Sequence, residues 1–108
     1  MSLRYAHEKF HTAVLTLAGH GSVQERLVNA YVFSLGQLKT ADDIPNALQS
    51  RFDELCQELT KFEASGDEGR VQATVAKLNE FEINKLIEDI VTLNDDLCIQ
   101  LALTERAY

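Results

Sequence analysis

Tryptophan is absent, proline and methionine occur once each, and only two cysteines and five glycines are found among 108 residues. So little glycine and proline excludes a collagen-like or low-complexity chain. Two cysteines, Cys56 and Cys98, cannot found a disulfide scaffold and form no C-x-x-C pair. In apolar helical surroundings such residues behave as small buried hydrophobes, and a reduced, cytoplasmic protein is expected. No stretch approaches the run of about 18 apolar residues that spans a bilayer. The opening MSLRYAHEKF carries charges and no apolar h-region, so neither a membrane partner nor a secretory signal is expected.

Basic residues are also scarce. Ten Lys and Arg stand against 17 Asp and Glu, a net charge of -7. Binding a nucleic-acid backbone requires several Lys or Arg beside phosphates, and no stretch strings them together. A nucleic-acid partner is therefore not expected. The charge is uneven: residues 1–40 carry a net +2 and residues 41–108 a net -9. Such asymmetry would attract the two parts to each other within the fold or across a dimer; the reading preferred is a solvated acidic surface that is expected to keep the protein soluble.

Hydrophobic residues make up 45% of the chain, enough for one modest core and too many for a chain disordered throughout. Their spacing is helical, and no segment alternates as a strand would. A first helix is expected over 5–18, with Phe10, Val14, Leu17 and Ala18 on one stripe, closed by Gly19-His20-Gly21. Ser22 with Glu25 three positions on forms a capping box for a second helix, about 23–38. That helix is expected to bury Val23, Leu27, Ala30, Tyr31, Ser34, Leu35 and Leu38. Asp43 as a cap and Pro45 in the first turn predict a third helix over 45–63, with Leu48, Phe52, Leu55, Leu59 and Phe62 as its seam. Residues 64–70, ASGDEGR, read as a loop, followed by a short helix near 70–77.

Asn79 with Glu82 then caps a long helix over 80–104. Ile83, Leu86, Ile90, Leu93 and Leu97 form its main stripe, which Ile87, Val91, Cys98 and Leu101 widen. The fold expected is a single all-α domain over 1–108: an up-and-down four-helix bundle with an additional short helix and a long C-terminal helix. The last stripe is too wide for three shorter partners to cover. A symmetric homodimer is expected, with Leu97, Ile99, Leu101 and Leu103 in the interface and Tyr5 and Tyr108 extending it.

One segment carries a metal motif. His7-Glu8-Lys9-Phe10-His11 reads H-E-x-x-H, in which two His four apart face one way and the Glu acts on a metal-bound water. A metzincin would continue with Gly and a third His where Val14 and Leu17 stand, and no strand precedes His7 to hold a substrate. Glu8-x-x-His11 is also the E-x-x-H element of di-iron bundles, which needs a second copy and further Glu from other helices. His7, Glu8 and His11 are thus the candidate metal ligands. Gly19-His20-Gly21-Ser22 reads as a helix–helix turn, and Asp67-Glu68-Gly69 lacks the alternating carboxylates of a calcium loop. Glu88-Asp89 and Asp95-Asp96 read as a solvated acidic face. No nucleophile–base pattern or phosphate loop is present, so no catalytic residue and no cofactor are assigned.

Three segments carry a resemblance: Phe10-x-x-Ala13-x-x-x-Leu17, Gly21-Ser22-x-x-Glu25-Arg26-Leu27-x-x-Ala30-Tyr31, and Gly69-x-Val71-x-Ala73-Thr74-Val75. Together they resemble small uncharacterised bacterial all-helical proteins over most of the chain. The resemblance implies a bacterial cytoplasmic origin and brings no activity with it. The function expected is a non-enzymatic interaction or accessory module, homodimeric, whose acidic face meets a basic or amphipathic protein segment. The alternative is a metal-binding protein or metal-dependent hydrolase built on residues 7–11.

Overall fold

The computed structural model describes residues 3–106, and every regular element within them is helical. Tyr108, expected to extend an interface, lies outside the described residues. The elements are α1 (Leu3–Leu17), α2 (Val23–Phe33), α3 (Thr40–Asp43), α4 (Gln49–Leu59), α5 (Arg70–Ala76) and α6 (Glu80–Arg106). Two 3₁₀ turns, Leu35–Gln37 and Asn46–Leu48, complete them. One hydrophobic cluster draws side chains from every helix except α3.

α1 buries Ala6, Phe10, Ala13 and Leu17 against α6 and α2. Its core stripe is therefore centred nearer Ala13 than expected, since Val14 is half-buried and Ala18 is exposed. Two alanines on the buried face let the neighbouring helices approach closely. Between α1 and α2 the backbone turns at Gly21, whose φ of 101° is one that L side chains rarely adopt. Arg26 clamps this corner by donating to the Leu17 carbonyl at 2.6 Å.

Ser22 caps α2 as expected, its hydroxyl accepting from the Glu25 N–H at 3.1 Å. The helix is shorter than expected, ending at Phe33 rather than near 38. Ser34 leaves helical geometry at φ -137° and ψ -74°, and a 3₁₀ turn follows. With three residues per turn, that turn puts Leu35 and Leu38 on one side, and both are buried.

The expected single helix over 45–63 is divided. Ile44 precedes a proline and is extended, at φ -106° and ψ 129°, because the proline ring crowds the helical conformation of the residue before it. Asp43 caps no following helix. Its carboxylate instead reaches back to the Lys39 N–H at 2.8 Å and closes the one-turn α3. The Thr40 hydroxyl donates to Asp53 at 2.6 Å and fixes α3 to α4. α4 then buries Phe52, Leu55 and Leu59, with Phe52 set against Phe10 of α1 at a ring separation of 5.9 Å. It stops at Leu59, so Phe62 falls outside the seam and is exposed under the ammonium groups of Lys61 and Lys77.

The capping box of α6 is complete. Asn79 N–H donates to the Glu82 carboxylate at 2.9 Å, and Glu82 N–H donates to the Asn79 side chain at 2.8 Å. Ile83, Leu86, Ile90, Leu93 and Leu97 are buried, whereas Val91 is exposed and does not widen the stripe. At 27 residues, α6 is about 40 Å long and spans most of the 49 Å length of the molecule. Ion pairs set its neighbours along it: Arg4 of α1 meets Glu105, and Arg51 of α4 meets Asp96 at 2.6 Å. No helix among the described residues is long and apolar enough to cross a membrane.

Candidate functional site

Beside the Arg51–Asp96 pair, residues of α4 and α6 line a groove of about 460 Å³. Leu55, Leu86 and Leu93 form its floor, each buried by the core packing of the two helices. Half-buried Leu78 and the ring of Phe81, 78% exposed, stand at the end where α6 begins. Phe81 lies two positions before Ile83 and so points away from the core stripe, which turns about 100° per residue. An aromatic ring this exposed, beside a charged cleft, is the largest uncovered apolar side chain of the described residues.

Charges line both rims. Arg51, Glu54, Glu58 and Lys61 follow one face of α4 into the segment after it, and Glu82, Lys85 and Asp89 follow α6. Each cation has a carboxylate of its own. Arg51 pairs with Asp96, Lys61 with Glu58 at 3.2 Å, and Lys85 with Asp89 at 3.3 Å. Pairs this exposed add little stability, but they neutralise the rim locally. Glu54 has no ion pair among the described residues, and Glu82 is engaged only by the backbone N–H that it caps. The groove is therefore apolar along its floor and modestly acidic overall.

The residues of the metal motif lie elsewhere, on the flank of α1. His7 is half-buried, while Glu8 and His11 are exposed. The two imidazoles share a face with ring centroids 6.2 Å apart and planes 29° apart. Among the described residues, no group of three or more His, Cys, Asp and Glu side chains is placed to hold a metal ion. Lys9, between them in sequence, turns to the other flank, donating to Gln37 at 2.7 Å and lying 5.6 Å over the Tyr5 ring.

The four expected interface residues are split by burial. Leu97 is 1% exposed and belongs to the monomer's own core, so it is not a surface residue. Its place on the main stripe of α6, in line with Ile83 and Ile90, already required this. Leu101 is half-buried, while Ile99 and Leu103 are 55% and 57% exposed on the outer side of the helix.

Neither cysteine is bonded. Burial, with a smaller contribution from the Asp53 carboxylate, pushes the Cys56 thiol up to about 11, leaving it protonated and inert at neutral pH. Tyr31 is raised by burial and by its proximity to Cys56. The groove was not read from the sequence. The signal that could have shown it is Phe81, an aromatic residue off the helical stripe. No protein-family model, curated protein or solved structure matches the chain.

Proposed function

We propose that the protein is a non-enzymatic, all-α interaction module that acts as a homodimer in a reducing, cytoplasmic setting of a bacterial cell. In this reading residues 1–108 are one domain. α1, α2, α4 and α6 make an up-and-down four-helix bundle, and α5 is the additional short helix. The end-to-end pairing of Arg4 with Glu105 supports an antiparallel α1 and α6, and the two free cysteines suit a reducing compartment. The observation that carries the reading is the outer side of α6, away from its buried stripe, where Ile99 and Leu103 expose more than half of their surface. Burying them against the same face of a second copy removes both from water through one symmetric contact.

The test is sedimentation velocity on the full chain and on the double variant Ile99→Lys, Leu103→Lys. A dimer that becomes a monomer in the variant, with unchanged circular dichroism, supports the reading. A monomeric parent protein, or a variant that dimerises equally well, overturns it.

A second reading draws on the shared face of His7 and His11, four apart on a continuous helix, as a metal-binding protein. Zinc or iron at near-stoichiometric content in untagged protein, lost in His11→Ala, would support it. Parent protein that takes up neither metal would end it.

A further inference from the structure

The metal-binding reading leaves open which ion the His7–His11 pair takes and where its remaining ligands come from. We infer that the pair is half of a four-histidine zinc site, whose other half is the same pair on a second copy of this chain. The inference rests on that reading and gives Glu8 no part as a ligand.

One helix supplies the first half. Residues four apart on α1 lie one above the other, and the two imidazoles share a side with centroids 6.2 Å apart and planes 29° apart. Imidazole nitrogens sharing a tetrahedral zinc stand about 3.4 Å apart. Small turns about χ1 and χ2 close the rings to that separation, and exposed His11 has the room to make most of the movement. Imidazole ligands exclude magnesium and calcium, which take oxygens, and a tetrahedral four-nitrogen set suits zinc.

Charge around the pair favours a cation. Lys9, between the two in sequence, is turned to the other flank and donates to Gln37. Arg4, three residues before His7, is paired with Glu105. Glu8 is exposed and forms no ion pair among the described residues, so its negative charge is left beside the pair.

What one chain lacks points to a second copy. A tetrahedral ion needs two ligands beyond this pair. Among the described residues, no group of three or more His, Cys, Asp and Glu is placed to hold a metal ion. A two-fold axis through the ion fills both positions in one operation, with the same two residues. Leu15, one turn beyond His11 and 58% exposed, gives that side of α1 an apolar group for the contact to cover.

The test is equilibrium dialysis of the untagged full chain against zinc chloride, with sedimentation velocity over a dilution series with and without the metal. Expected are about one zinc per two chains and self-association at least about tenfold tighter with zinc, reversed by a chelator. His11→Ala should lose both effects with unchanged circular dichroism, because the side chain is exposed. Glu8→Gln should keep both. One zinc per chain with no change in association overturns the inference and leaves the metal-binding reading standing. No zinc uptake overturns both, and a dimer seen without metal then belongs to the Ile99–Leu103 face alone. Loss of zinc in Glu8→Gln also overturns the inference, since the carboxylate would then be a ligand.

Discussion

The hydroxyl of Thr74 stands in for a backbone partner of Phe62. It accepts the Phe62 N–H at 2.9 Å and lies 3.5 Å from the Phe62 carbonyl oxygen, to which it donates. Thr74 is wholly buried, and this pairing fastens the chain leaving α4 to α5 twelve residues later. Replacing Thr74 by Val keeps the shape and leaves both backbone groups of Phe62 without that partner. Urea unfolding should show a loss of about 1–2 kcal/mol. A change within a few tenths would mean that water satisfies Phe62 equally well.

Asn79 holds the start of α6 through its side chain and its own N–H. Asn79→Ala removes the acceptor for the Glu82 N–H and should cost about 0.5–2 kcal/mol by the same measurement. Asn79→Asp retains the acceptor and adds a negative charge at a helix N-terminus, so it should recover most of that loss.

Gly36 passes so close to Tyr31 that a methyl group there would lie 3.0 Å from both the Tyr31 carbonyl oxygen and its ring. The backbone oxygen cannot swing aside as a flexible side chain would. Gly36→Ala should destabilise by about 1–3 kcal/mol, the usual cost of overpacking. Thermal unfolding of the variant provides the check.

Cys56 gives a pH prediction. Its thiol is pushed from the ordinary 9.0 up to about 11, chiefly by burial. Since the thiolate is the reacting species, alkylation of Cys56 at pH 8 should run roughly 100-fold slower in the folded protein than in urea. Peptide mapping after timed iodoacetamide treatment reads this rate. The raised value also fixes a sign for stability. The folded state holds its proton to higher pH than the unfolded chain, so this contribution is whole below pH 9 and is lost as pH rises towards 11.

The helices were legible wherever one local rule acted alone. Ser22 and Asn79 capped as their spacing required, and the residues at 83, 86, 90, 93 and 97 are all buried. Misreading came where rules competed. Asp43 as a cap and Pro45 in a first turn read as the start of one helix over 45–63. The crowding of Ile44 by Pro45 instead separates a one-turn α3 from α4. Phe62 fitted the seam spacing, but α4 ends at Leu59, and the Thr60 hydroxyl beyond it donates to the Cys56 carbonyl at 2.7 Å.

The candidate sites divide the same way. The face shared by His7 and His11 follows from one helix and was visible. The groove needs residues 51–61 and 78–93 brought together, and no local periodicity encodes that pairing.

The unbroken length of α6 carries a consequence for how this chain can change. Its contacts with α4 at Asp96 and with α1 at Glu105 are held in one rotational phase. Adding a single residue after Ile87 would turn everything downstream by about 100°, taking Ile90, Leu93 and Leu97 off the core together. The same residue added after Gly66, in the exposed connection before α5, would only lengthen a loop, at a small entropic cost. Cooperative unfolding should survive the second insertion and vanish with the first. Sequences sharing this architecture should therefore differ in length between α4 and α5 and keep α6 in strict register.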